Sequence, residues 1–359
     1  MSAAATTTPR RAPGLVARLD ELLGREVSLR PLQVLRVLAG PIVLLHLAPF
    51  LSDSLHGHTY QDVFHEPYAS WYPELPEGAY IGVLWLGAAS AVAMSLGALA
   101  RLAALARVAT VTAFAVVAYN LFLSTTHFHN NRAYLVIVLG VLAVTPVAQA
   151  GPAWPLWLLR FECAAVYGAS GLSKLLDPDW FGGTVSWQRV VQARHELHPL
   201  PDWAISLLTN RDFHSGAAKV IVLTELFIAV GLWSRRTRYA AVWVAAIFHL
   251  TIEASASVQV FSLIGISVLL IWAVPSARDR VVRIDPRARF ARVVRALDWL
   301  ARFRIEPAPA GAPLEVVDRD GTAIRGGPAL AFTLSRLPLT AWFALPTLLL
   351  PAVRRARAA

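Results

Sequence analysis

Apolar residues run in long blocks along this chain, with short polar, arginine-bearing breaks between them. Eight blocks approach the roughly 20 residues that a helix needs to cross a bilayer. They lie at about 33–51, 79–99, 103–123, 133–150, 154–176, 217–234, 239–254 and 256–274. The seventh is short, and the turn at 254–256 reads equally as a re-entrant feature. After 276 the pattern changes. Residues 281–285 alternate as a strand, and 288–301 carry Val294, Leu297 and Leu300 at helical spacing. Residues 314–324 read as a hairpin turning at Asp320-Gly321, and Pro328 opens a further helix to about Leu337. The apolar run 337–350 is interrupted by Pro338 and Pro346 and is too short to span, so it is expected to lie in the membrane interface. The expected architecture is an all-α polytopic membrane domain over 1–275. A small C-terminal α/β module follows over 276–359.

Composition agrees with a membrane protein. The chain is 56% hydrophobic and 16% charged, with a mean hydropathy of +0.51. Its formal charge of +10 is read as topology rather than as a nucleic-acid surface, because the arginines sit between spans. Arg10, Arg11, Arg18, Arg25 and Arg30 precede the first span, and Arg101 follows the second. Arg235, Arg236 and Arg238 lie between the sixth and seventh, and Arg278, Arg280 and Arg283 follow the eighth. With eight spans all four groups share one face, which the positive-inside rule makes cytoplasmic. Both termini are then cytoplasmic, in a multi-pass protein of the cell membrane. No cleaved signal peptide is expected from the polar N-terminus. The single Cys163 excludes an intramolecular disulfide, and no Cys/His spacing supports a metal site.

The opposite face collects different chemistry: His56, His58, His65 and Trp71, the 125–131 turn with His127 and His129, and the connection 177–216. Lys174 ends the fifth span on that face. Only two of the 33 basic residues are lysine, Lys174 and Lys219. A lysine kept where arginine is otherwise used points to chemistry arginine lacks: a desolvated ammonium can lose its proton and act as a base. The bland alternative is a Lys174–Asp177 pair that anchors the helix end. Other ionisable residues at membrane depth are Arg160, Glu162, Glu225, His249 and Glu253. Such residues mark cavities or partners. Arg160 is expected to snorkel, and Glu225 to pair with an arginine of a neighbouring helix. His249 and Glu253, at i and i+4, share a face and default to a structural hydrogen bond.

The ordered set Trp154-Pro155-Leu156-Trp157, Tyr167, Gly171-Leu172-Ser173-Lys174 and Asp179-Trp180-Phe181-Gly182 resembles vitamin K-dependent gamma-carboxylases. It also resembles the wider horizontally transferred transmembrane (HTTM) family that contains them. The likeness recurs at Phe128 with Asn130-Asn131, at Arg194-His195, and at Phe248-His249 with Phe261-Ser262, and so covers about 25–275. It implies an enzyme in which Lys174 deprotonates a membrane quinol of the vitamin K or menaquinol type. Oxygenation of the quinol then generates the base that draws a proton from a glutamate γ-carbon. A quinol hydroxyl with a phenol-like pKa near ~10 requires a base of this kind. The resemblance makes His249, His195, His127 and His129 auxiliary proton handlers. It places Asn130, Asn131, Asp179, Trp180 and Glu253 around the quinol. The substrate implied is a peptide or protein reached from the outer face. The family's Asn-Asn-His element reads Asn130-Asn131-Arg132 here, which sets a non-catalytic, partner-binding membrane protein beside the enzyme as an alternative. No large extramembrane domain follows the spans, so a propeptide-bearing substrate of the animal type is not expected. Inverted repeats that would favour a transporter are not evident.

The C-terminal module resembles the small thioredoxin-like proteins named for Asp-x-x-Cys-x-x-Cys. Aligned on 292–300 and on 316–325, that motif falls on Asp285, Ala288 and Ala291. With alanine at both cysteine positions the module cannot exchange disulfides. It is expected to be a cytoplasmic accessory, and its 285–300 helix could equally lie on anionic lipid.

Overall fold

The computed structural model describes residues 14–58, 67–192, 201–234, 236–256, 260–273 and 280–344. The fold is mostly helical, with a small sheet near the C-terminal end. A short helix α1 (Leu15–Gly24) and strand β1 (Glu26–Ser28) lead into α2 (Arg30–Leu55), α3 (Glu77–Leu99), α4 (Ala103–Leu123) and α5 (Asn130–Val144). Strand β2 (Ala150–Pro152) returns to pair antiparallel with β1. Then come α6 (Trp154–Leu176), the short α7 (Pro178–Phe181), α8 (Thr184–Gln192) and α9 (Asp202–Leu208). They are followed by α10 (Arg211–Gly231), α11 (Arg238–Ala256) and α12 (Val260–Val268), which continues as a 3₁₀ turn over Leu269–Ala273.

Among the described residues four helices are long and apolar enough to cross a membrane: α2, α3, α4 and α10. The expected span at 133–150 ends early, because the chain leaves the helix at Thr145 to form β2. The expected span at 256–274 is likewise represented by the shorter apolar stretch Val260–Trp272. Helix α6 has 23 residues, but it carries Arg160, Glu162 and Lys174 and is less uniformly apolar.

Small residues set the helix contacts. Lipid tails are as apolar as leucine, so helices associate in a bilayer by close packing and polar contacts. Gly40 of α2 presses against the Ala91 carbonyl and Ser95 of α3, and a side chain there would collide. Beside it Ser95 Oγ donates to the Val37 carbonyl at 2.8 Å. A Cβ at Gly87 would collide with Leu47 and Val116, and one at Gly97 would lie 2.8 Å from the Ala106 amide nitrogen. Arg36, fully buried, donates from one Nη to the Leu142 and Thr145 carbonyls at 2.7 and 2.8 Å. It thereby satisfies the free carbonyls that end α5. Helix α12 packs against α2, α5, α6 and α11 and closes the bundle.

Three tryptophans and Arg160 knit one end of the bundle. Trp157 stacks on Trp233, which meets Trp272 edge-on. Arg160 lies over both Trp157 and Trp272 and donates to the Ile271 carbonyl at 3.0 Å. It therefore caps the 3₁₀ turn instead of snorkelling to water.

The C-terminal module is β3 (Arg280–Ile284), α13 (Arg289–Leu297), β4 (Phe303–Pro307), β5 (Glu315–Val317), β6 (Ala323–Arg325), α14 (Gly326–Leu334) and the short α15 (Ala341–Ala344). Its sheet order is β4-β3-β5-β6, with β3 parallel to β4 and the other pairs antiparallel. The hairpin turns at Gly321, at φ +84°, as Asp320-Gly321 predicts. Strand β4 was not expected. The expected helix to 301 stops at Leu297, because the Asp298 carboxylate accepts the Arg302 and Phe303 amides. Ala301 then turns left-handed at φ +50°. Of the expected interfacial run, 345–350 lies outside the described residues. Val282, Val294, Phe303, Val316, Ile324 and Phe332 form a core of the module's own.

Asp318 ties the sheet to Arg280 at 2.7 Å, with both side chains 8% exposed. Burial alone would raise the Asp318 carboxyl, but the Arg319 amide and the Arg280 guanidinium outweigh it and hold the group below the usual carboxylate range. A depressed carboxylate stabilises the fold above its unfolded value of about 3.9, and that contribution disappears as pH falls through the lower folded value. Asp318→Asn is expected to lower stability at neutral pH and to flatten its decline below about pH 4. Thermal unfolding followed across pH checks this.

Candidate functional site

Helix α6 repeats polar or small residues at three- and four-residue intervals: Tyr167, Ser170, Gly171, Lys174. That spacing puts them on one face, and the face meets α10 and α11. Gly171 permits the approach. A Cβ there would lie 3.1 Å from Leu226 and 3.2 Å from the Glu225 Cβ.

The approach brings Lys174 onto Glu225. Lys174 Nζ donates to both carboxylate oxygens, at 2.7 and 2.8 Å, and to Ser170 Oγ at 2.6 Å. Ser170 Oγ in turn donates to Glu225 Oε1 at 3.0 Å. The Lys174 side chain is 17% exposed and that of Glu225 is 5% exposed, so the lysine is the accessible end of the pair. This corrects two expectations. Glu225 pairs with Lys174 and not with an arginine. Asp177 does not anchor Lys174; its carboxylate caps α7 through the Asp179 and Trp180 amides. The Trp180 ring covers the pair's open side. Lys174 Nζ stands 5.2 Å from its centroid and the Arg189 guanidinium 5.1 Å.

Two turns along the same face, Tyr167 Oη meets His249 Nε2 at 2.6 Å, and both residues are buried. Gly265 of α12 makes room for the imidazole, since a side chain there would run into its ring. Phe261 meets the imidazole edge-on at 5.2 Å. His249 Nδ1 and Glu253 Oε2 are buried without partners among the described residues, so these two do not bond each other as their spacing predicts. A polar stripe thus runs down α6 from Lys174, Ser170 and Glu225 to Tyr167 and His249. From Trp157 to Lys174 the helix rises roughly 25 Å, at about 1.5 Å per residue. Lys174 therefore lies at the opposite end of α6 from the tryptophan–arginine cluster.

His127 sits elsewhere. It is buried against Phe50, at 4.8 Å between rings, and its Nδ1 meets the Asn120 carbonyl at 3.0 Å. Arg132 donates to the His127 carbonyl at 2.9 Å and lies 4.7 Å over Phe50. The arginine at the Asn-Asn-His position is thus built into the packing. Asn120 takes the Tyr80 hydroxyl at 2.5 Å, while its Nδ2 and His46 Nε2 are buried without partners among the described residues. His129 is exposed and caps α5 by accepting the Asn131 amide at 3.2 Å. Asn130 is exposed, Asn131 half-buried, and Asp179 exposed. His195 lies outside the described residues. Among those residues no group of three or more His, Cys, Asp or Glu could hold a metal ion.

Ser170 and Tyr167 were missed as site residues. The signal was present in their i, i+4 and i, i+7 spacing from Lys174. Glu225 stands out in the sequence as an acid in an apolar helix, but its partner is Lys174 and not an arginine. His214, buried between Ser186 and the Leu208 carbonyl, was also missed, and its contacts fix α8 and α9 against α10.

No curated protein and no solved structure matches this chain. Residues 143–276, a little over a third of the sequence, match the HTTM domain. That segment contains Tyr167, Ser170, Lys174, Glu225 and His249 and excludes the His127–Arg132 cluster. The stretch that carries the lysine–glutamate pair is the one that matches the HTTM domain, which is found in vitamin K-dependent carboxylase-like membrane proteins.

Proposed function

We propose that this protein is a quinol-oxidising membrane enzyme of the gamma-carboxylase-like class, with Lys174 as the residue that meets the quinol hydroxyl. The observation that carries this reading is the Lys174–Glu225 pair, set in an apolar helix interface with the lysine at its accessible end. Glu225 is its positioning residue. In this reading a proton passes from Lys174 to Glu225 over the 2.7 Å between Nζ and Oε1, which frees the lysine lone pair for a hydroxyl proton. The deprotonated quinol reacts with dioxygen, and quinol plus dioxygen yields the quinone epoxide plus water. His249 and Tyr167 are placed to relay protons along the same face. A glutamate-bearing peptide, which gives up a proton from its γ-carbon, is the proposed substrate, approaching from the face that carries Lys174. We place that face outside, with eight spans, the shorter helices included, and both termini cytoplasmic. The β3-α13-β4 unit followed by a hairpin and α14 supports a thioredoxin-like reading of the module.

The test is oxygen-dependent consumption of menaquinol or vitamin K hydroquinone by the protein in nanodiscs. Epoxide should form and should disappear in Lys174→Ala. No turnover by folded, quinol-loaded protein overturns the reading. One observation favours a second reading, a non-catalytic partner-binding protein: all three N–H bonds of a Lys174 ammonium already have acceptors. In that case Lys174 serves only to hold α6 to α10, and partners captured through 276–359 would define the role.

A further inference from the structure

Helix α1 (Leu15–Gly24) buries none of its residues. Five of them are nonetheless large and apolar: Leu15, Val16, Leu19, Leu22 and Leu23, with Leu15 74% and Val16 80% exposed. Their spacing of i, i+1, i+4, i+7 and i+8 puts all five on one stripe of the helix. Glu21 falls on the opposite side, and Arg18 and Asp20 flank the stripe. A single exposed leucine needs no explanation, but a stripe of five large apolar side chains marks an interaction surface.

The fold fixes where this stripe stands. Only residues 25–29 separate α1 from α2, one of the helices long and apolar enough to cross a membrane. Strand β1 in that link pairs with β2, which directly precedes α6. Leu29 is fully buried, and its amide donates to the Gln149 carbonyl at 2.9 Å. Gln33 Nε2 of α2 adds a bond to the Ala148 carbonyl at 3.1 Å. Helix α1 is thereby tied to the end of the bundle where α2 and α6 begin, and it packs against α6. Near its start α6 exposes Leu158 and Phe161, apolar surface suited to lipid and not to water. Trp157 and Arg160 belong to the same stretch of α6, and such residues gather where the hydrocarbon meets the headgroups. An amphipathic helix tethered at this level has the bilayer boundary beside it. Arg18 stands against Asp20 and Glu21, so burial of apolar area, and not attraction to anionic headgroups, is what holds α1 there.

We infer that α1 is a membrane-surface anchor, lying along the bilayer boundary with its leucine and valine stripe among the acyl chains and Glu21 toward water. The occupant of the stripe is the lipid itself, and the β1–β2 ribbon ties the anchor to the bundle.

The test uses the full chain in phosphatidylcholine nanodiscs. Val16→Cys, Leu19→Cys and Glu21→Cys are each labelled with a polarity-sensitive fluorophore. Cys163 is buried, and the parent protein treated with the same reagent gives the background. The labels at 16 and 19 should emit to the blue of the label at 21. A nitroxide carried on the lipid should quench them about twofold more than the label at 21, and aqueous iodide about twofold less, as burial in the headgroup boundary requires. None of the three positions is buried, so the substitutions should leave the unfolding midpoint unchanged. Equal iodide quenching at all three positions would put the stripe in water and overturn the inference. Shielding of positions 16 and 19 from both quenchers would put the stripe against protein, a second copy or a partner, and overturn it as well.

Discussion

Glu225→Gln is expected to destabilise the protein by about 3–5 kcal/mol, because it leaves a lysine charge in a helix interface without its counter-charge. The argument rests on geometry. Glu225 is the deeper member, 5% exposed, and supplies both oxygens to Lys174 and one to Ser170. An amide can offer only one acceptor oxygen and turns its other donors toward groups that also donate. Lys174→Met should cost a similar amount, since a carboxylate is then left buried. The double variant Lys174→Met/Glu225→Leu should recover most of the loss. Two apolar side chains of similar volume pack the α6–α10 contact with no charge to desolvate. A double-mutant cycle in thermal or denaturant unfolding measures the coupling. Additive single losses would refute a dependent pair.

Lys174→Arg separates structure from chemistry. Arginine keeps the charge and can bridge the same carboxylate, so stability should change by only about 1 kcal/mol. It does not give up its proton, so quinol oxidation should fall by roughly 10²–10⁴, the range that general-base catalysis contributes. The matched pair of measurements is epoxide formation and unfolding midpoint on one preparation. Near-normal turnover in the arginine variant would remove Lys174 as the base. Lost turnover with lost stability would return the pair to a structural role.

How far the site was legible depended on distance along the chain. Lys174 stood out through residue choice alone, in a chain that otherwise uses arginine. Tyr167 and Ser170 were in principle legible, because helical spacing puts them on the face of Lys174. The Glu225 partner was not, because it lies 51 positions away, and helix order does not say which helices touch. The partnerless acid in an apolar helix announced only that some cation must answer it. The His249–Glu253 spacing was misleading in the same way. One shared helix face places two side chains near each other, but packing against α6 turned the imidazole toward Tyr167. Against the family pattern Arg132 stands where a histidine is expected. Its contacts with Phe50 and the His127 carbonyl show it as part of the packing of α2, α4 and α5.

The sequence by itself determined that this is a helical membrane protein with a separate, mixed C-terminal module, and it marked Lys174. Those properties follow from local patterns: apolar run length, the change of period after 276, and glycine at the Asp320-Gly321 turn. Only the tertiary structure decided where helices end, which charges pair and where the module docks. Thr145 leaves its helix because β2 finds β1, and α13 stops because Asp298 takes up two amides. Arg302 meets Tyr239 of α11 from 63 positions away, so no local pattern could have brought them together. Helix contacts in a membrane are set by small residues such as Gly40 and Gly171, which a hydropathy pattern cannot distinguish from any other apolar position.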